Sequence, residues 1–225
     1  MRNILLFFFL FSSVFNFSQE ISFSTLLIPK ELIENSNSVI RDQKIEIEIL
    51  SRRQMIIKKS KTITVLNKNG LTNIDAIEFY NKSTKVKTIE AIVYNSFGKE
   101  LKKIKRKDFI DQSVADGFSI YNDDRKLFLD YTPTEYPFTI IYKSELETSN
   151  TAFIPTWYPV DDFYESVEKS SIHIKYPSEM GFKYKEKNFN LDKISKQEDS
   201  NKISFNALNL KAEKYEEFSP SFKKI

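Results

Sequence analysis

Ile45-Glu46-Ile47-Glu48-Ile49 decides the fold class, because apolar and charged residues alternate there with a period of two. Successive side chains on an extended strand point to opposite faces. The isoleucines therefore line one face and the glutamates the other, which is the pattern of a half-buried strand. Downstream, Thr62-Ile63-Thr64-Val65-Leu66 repeats it. Asn67-Lys68-Asn69-Gly70 then reads as a tight hairpin turn, with Gly supplying a positive φ, and the chain is expected to return as a strand from Ile74 to Tyr80. Val86 to Tyr94 reads as a further strand, closed by Asn95-Ser96-Phe97-Gly98 before Lys99 to Lys105. These segments read as consecutive antiparallel strands. Upstream, Pro29-Lys30-Glu31-Leu32-Ile33-Glu34 reads as a short helix, with acids near its positive end.

The second half continues in kind. Leu127 to Tyr131 and Phe138 to Tyr142 are β-rich, with Pro133 and Pro137 at strand ends. Thr151 to Pro159, which holds the only Trp, reads as an irregular aromatic crossover. Ile172, Ile174 and Tyr176 alternate with Ser171, His173 and Lys175; Phe182 and Tyr184 alternate with lysines; Ile203, Phe205 and Ala207 close the series. Asp192 to Lys202 is polar enough to read as a loop or hairpin tip. Many short strands at this spacing predict a mainly β chain, an antiparallel β-sandwich with one short N-terminal helix.

Residues 1–18 have the character of a secretory signal. Arg2 is followed by an unbroken apolar run from Ile4 to Phe11, and Ser18 precedes Gln19 as a cleavage point. The run falls short of the roughly 20 residues a membrane-spanning helix needs. The expectation is an exported protein, periplasmic or extracellular, with residues 19–225 forming a single domain and no transmembrane span after cleavage.

Composition narrows the chemistry. The chain has 225 residues, 34 basic against 31 acidic, for a net charge of +3, so no strong field draws it to nucleic acid. It has no Cys, which excludes disulfides, thiolate metal sites and a cysteine nucleophile. The single His173 alternates with isoleucines and is expected on the polar face of a strand, away from catalysis. Asp123-Asp124 and Asp161-Asp162 are neighbours pointing to opposite faces, so they suit turn capping better than acid–base work. The lysine-rich run from Lys99 to Lys107 reads either as a polyanion or membrane-surface patch or as a solvated edge strand, with Leu101 and Ile104 anchoring it to a core. No cofactor, metal or catalytic residue is expected. The residues singled out as a ligand or partner surface are Trp157, Tyr158, Asp161 and Arg125.

Several stretches carry a resemblance by their shared order. They are Ile28-Pro29-Lys30-Glu31-Leu32, the hairpin ending Phe97-Gly98-Lys99, Asp108-Phe109-Ile110-Asp111, Tyr121-Asn122-Asp123-Asp124-Arg125, and Tyr136-Pro137 leading to Ile154-Pro155-Thr156-Trp157-Tyr158-Pro159. Over most of residues 25–218 the chain resembles the domain of unknown function 3857, a β-rich domain of exported bacterial proteins that lies N-terminal to a transglutaminase-like domain. The resemblance implies a β-sandwich with an accessory role, and partners such as that transglutaminase-like domain or an envelope protein or peptide. It supplies no catalytic residue, because the neighbour's Cys is absent from this chain. The alternative is a carbohydrate-binding or carboxylate-dependent glycan-active β-sandwich, for which Asp123, Asp130 and Asp161 are the acids to inspect.

Overall fold

A computed structural model describes residues 23–114, 123–187 and 192–218. The expected signal at residues 1–18 and the Tyr121-Asn122 pair lie outside the described residues. Among the described residues the chain is mainly β, with two sheets and one short α-helix, α1 (Lys30–Ile33). The strands are β1 (Ser38–Ser51), β2 (Gln54–Val65), β3 (Ile77–Tyr80), β4 (Thr84–Tyr94), β5 (Glu100–Lys105), β6 (Ile110–Ser113), β7 (Arg125–Phe128), β8 (Phe138–Thr148), β9 (Glu165–Lys175), β10 (Ile194–Asp199) and β11 (Lys202–Leu210).

The large sheet runs β10-β11-β9-β1-β2-β8-β4-β5, and the small one β3-β7-β6. The alternation of β1 places Ile45, Ile47 and Ile49 opposite Lys59, Ile57 and Met55 of β2 on one face. That face joins Ile140 and Leu146 of β8, Ile172 and Ile174 of β9 and Leu127 of the small sheet in one apolar core. On the opposite face Lys44, Glu46 and His173 stand among paired charges: Lys44 meets Glu46 at 2.7 Å, and Lys175 meets Glu48 at 3.1 Å.

The connectivity differs from consecutive antiparallel strands. β2 pairs with β8, and β1 pairs in parallel with β9. Gly70 accounts for part of this. Residues Lys68–Ile74 form a 3-10 helix, not a two-residue hairpin turn, and Asn67 caps it by accepting from the Asn69 amide at 3.0 Å. Glycine serves here by allowing close approach, since a Cβ would press into the Asn37 carbonyl oxygen. The chain thus leaves the large sheet after β2, and the returning strand shrinks to β3 in the small one.

Three further expectations are corrected. Phe182 and Tyr184 lie in irregular backbone, where their rings stack with Tyr176 (5.1 Å) and each other (5.8 Å). The polar stretch Asp192 to Lys202 does carry a hairpin tip, closed by Asp199 and Lys202, but it also contains β10, an edge strand paired with β11. Leu101 is 46% exposed while Ile104 is buried. The register between β4 and β5 slips there, pairing Val93 with Lys102 and Tyr94 with Glu100, so Leu101 is the unpaired extra residue of a bulge. The Asn95–Gly98 turn forms as expected, with Gly98 at φ +83° and its amide bonded to Asn95 O at 3.0 Å.

Candidate functional site

A polar band crosses the otherwise apolar face of the large sheet. On β2, the inward positions read Met55, Ile57, Lys59, Lys61, Ile63 and Val65, so two lysines occupy core-facing sites. β8 sets Tyr142 opposite Lys61 and Ser144 opposite Lys59. β9 and β1 add Ser170 and Gln43, bonded to each other at 2.7 Å.

Glu78 comes down on this band from β3. The strand reverses the usual pattern, burying Glu78 at 2% exposure while Phe79 is 56% exposed. The Glu78 Oε1 accepts from Tyr142 Oη (3.0 Å) and Ser144 Oγ (2.6 Å), and Oε2 takes Lys59 Nζ (2.8 Å). A buried carboxylate is tolerated only with such partners. Burial, reinforced by the Glu78 charge, pushes the Tyr142 phenol well above its usual range, so it stays a donor.

Lys61, also buried, donates to the Asn73 carbonyl oxygen at 2.8 Å. Near it stands Glu165, fully buried at the start of β9. Burial pushes the Glu165 carboxyl up to about 7; the charge of Lys61 opposes the rise and that of Asp161 adds to it. Neither Glu165 oxygen completes a hydrogen bond of good geometry, and neither does the Asn73 amide nitrogen, although the Asn73 side chain and the Asp161 backbone approach closely enough to offset part of the rise. This carboxyl is the least satisfied polar group of the region.

A cavity of about 170 Å³ opens beside the band, lined by Gln43, Lys59, Lys61, Glu78, Tyr142, the crossover residue Tyr158 and Asp161, among others. A larger depression of about 320 Å³ lies over Lys44, Glu46, Lys58 and Glu145. Its charges pair across strands, Lys58 with Glu145 at 3.8 Å, as on a solvated sheet face.

Of the residues singled out from sequence, the structure brings Tyr158 and Asp161 together in the cavity wall. Trp157 is a packing group: its ring stacks on Phe205 with centroids 6.1 Å apart, and its Nε1 donates to Ser170 Oγ at 3.0 Å. Arg125 belongs to the small sheet, where it bonds Asp111 (2.9 Å) and Tyr80 Oη (3.0 Å). Hydrogen bonds from Tyr80 and Arg125 hold Asp111 below the usual carboxylate range. Asp123 meets Lys82 at 3.6 Å and Asp130 is exposed, so neither lines the cavity that Asp161 lines. His173 sits on the outer sheet face with Nδ1 2.9 Å from Ser204 Oγ. Partial burial, then the charges of Lys44 and Lys202, lower its pKa. Among the described residues no group of three or more His, Cys, Asp or Glu is placed to hold a metal, and no helix is long and apolar enough to cross a membrane.

Sequence reasoning missed Lys59, Lys61, Glu78, Tyr142 and Glu165. The signal was present for the lysines, which fall in phase with Met55, Ile57 and Ile63.

Comparison with known proteins follows the fold. No curated protein sequence matches the chain. A protein from Parabacteroides distasonis described as a "putative protease" superposes with a TM-score of 0.58 at 14% identity, covering 82% of this chain and 38% of that one. The chain therefore spans under two-fifths of that structure's length. An M1 zinc metallopeptidase from Deinococcus radiodurans, bound to a Tyr-Ser-Ala substrate, gives a TM-score of 0.30 at 8% identity over 76% of this chain and 39% of that one. Leukotriene A4 hydrolase from Saccharomyces cerevisiae gives 0.34 at 7% identity, over 82% and 32%. The model of the domain of unknown function DUF3857, a family with a solved structure, matches residues 51–214, which is most of the chain. This chain belongs to the DUF3857 family.

Proposed function

We propose that this chain is a non-catalytic accessory domain of an exported bacterial protein, one that holds a partner polypeptide. The observation that carries this reading is the commitment of Glu78. Its carboxylate is engaged by Lys59, Tyr142 and Ser144 together, which uses the acid as framework. A general acid or base needs a face turned toward substrate. The cavity, at about 170 Å³, suits one side chain of a partner; a cavity of roughly 150 Å³ accommodates a benzene ring.

The partner is a neighbouring module, transglutaminase-like by the family resemblance, or an envelope peptide. The greater length of the Parabacteroides distasonis relative supports the first, because most of that protein lies beyond the region this chain matches. Export rests on the apolar run between Ile4 and Phe11. Mass spectrometry of the protein recovered from the cell envelope is expected to find Gln19 at its N-terminus.

The test is a nuclear magnetic resonance titration of the chain with the neighbouring module or with extended peptides, beside peptide- and glycan-hydrolysis assays. Shifts at Tyr158, Asp161 and Lys61 without turnover are expected. Turnover that a folded Glu78→Gln variant loses would make the site catalytic and end the accessory reading.

A further inference from the structure

The corner formed by residues 24–30 and the β4–β5 turn presents apolar side chains outward from a pinned backbone. Thr25 is fixed there by its amide and hydroxyl, which donate to the Ser96 carbonyl oxygen at 3.0 and 3.2 Å. Arg41 donates to Ser24 O at 3.4 Å, and Thr139 to Phe23 O at 3.3 Å. The Phe23 and Tyr94 rings lie 4.5 Å apart beneath. Ile28 and Leu32 turn inward into a small core with Val39. Leu26 and Leu27 turn the other way, 81% and 59% exposed, and Phe97 at the tip of the adjoining turn is 77% exposed.

Three large apolar groups on a held scaffold are more than the single exposed leucines of an ordinary surface. Cations lie close by in the chain. Lys30 follows Leu27 by three residues, and Lys99 and Lys102 follow Phe97; none of the three makes an ion pair among the described residues. Apolar side chains that enter the acyl boundary, ringed by lysines at the headgroups, are the physical components of peripheral attachment to an anionic bilayer. The lysine-rich β5 lies at the edge of the large sheet and supplies the complementarity; of its lysines, Lys103 pairs with Glu100 at 3.8 Å.

We infer that this corner docks on an anionic membrane surface, with Leu26, Leu27 and Phe97 inserting and Lys30, Lys99 and Lys102 meeting the headgroups. The attachment would hold the domain, and whatever it carries, against the envelope lipid after export. It is independent of the interlayer cavity and does not require the accessory reading.

The test is co-sedimentation of the chain beginning at Gln19 with vesicles of phosphatidylcholine alone and of an equal mixture with phosphatidylglycerol. Binding to the mixed vesicles that weakens with added salt is expected. Lys99→Gln and Lys102→Gln are each expected to weaken it about fivefold, as the loss of one headgroup contact implies. Phe97→Ser should weaken it about tenfold, and Leu50→Ser, at an exposed site near the β1–β2 hairpin, should leave it unchanged. Thermal melts check that each variant folds, and Leu26→Ser repeats the apolar test should Phe97→Ser fail to fold. No vesicle binding, equal binding to both vesicle types, or equal losses from Phe97→Ser and Leu50→Ser would overturn the inference.

Discussion

Removing the charge of Glu78 tests whether the interlayer band holds the two sheets together. In Glu78→Gln one oxygen becomes an amide nitrogen. That nitrogen must face either the Lys59 ammonium, a donor against a donor, or the two hydroxyls that donate to Oε1. Tyr142 and Ser144 can rotate to accept, but Lys59 loses the one counter-charge it has among the described residues. Breaking a buried pair by removing one partner costs about 3–5 kcal/mol. Lys59 keeps 29% of its side chain in water, so the lower end applies, about 3 kcal/mol. For a domain of this size each kcal/mol shifts Tm by about 2–4 °C, predicting a loss of about 6–12 °C. Urea unfolding followed by circular dichroism should show a lower midpoint with unchanged slope. Glu78→Leu alone should be at least as damaging. The double variant Glu78→Leu/Lys59→Met should recover most of the loss, because no charge is then stranded. A Glu78→Gln protein that melts with the wild type, or a double variant no better than Glu78→Leu, would refute the reasoning.

Two further expectations concern stability. Glu165 has a folded pKa raised to about 7, so between its ordinary value and 7 the folded state binds more protons than the unfolded one. Its contribution is therefore whole below about pH 4.5 and is lost as pH rises through 7. Glu165→Gln should match the wild type near pH 4 and exceed it by about 3 kcal/mol at pH 8; parallel stability curves across that window would disprove the assignment. Gly70→Ala forces a methyl against the Asn37 carbonyl and should cost about 1–3 kcal/mol, read as a lowered melting temperature. An unshifted melt would show that the backbone there yields freely.

The β class was legible because Ile45, Ile47, Ile49 and their partners alternate cleanly, and periodicity of two survives any tertiary arrangement. The connectivity was not. Asn67-Lys68-Asn69-Gly70 has the composition of a hairpin turn, and only the contact with Asn37, 33 residues upstream of Gly70, shows why glycine stands there. Phe182 and Tyr184 alternate like a strand, yet the stacking of Phe182 on Tyr176 and the edge-on contact of Tyr184 with Phe205 explain their spacing without one. β10 was hidden because an edge strand exposes both faces and needs no apolar alternation. Of the candidate site, Tyr158 was singled out as an aromatic of the Pro-flanked crossover and Asp161 as an acid just beyond it. Glu78 was not, since a four-residue strand carries too short a pattern to reveal which face is inside.

The parallel seam between β1 and β9 constrains how the molecule can be assembled. Arg41 and Glu168, bridged at 2.7 Å across it, are 127 residues apart. The β1–β2 hairpin can close as soon as it is made, but its other flank must wait until Glu165–Lys175 has been made. Until β9 arrives, β1 offers a row of unsatisfied amides and carbonyls to any extended chain nearby. A chain threaded through a translocation pore from its N-terminus would meet this exposure in the order of its emergence, and a holding chaperone at the exit would act on β1 first.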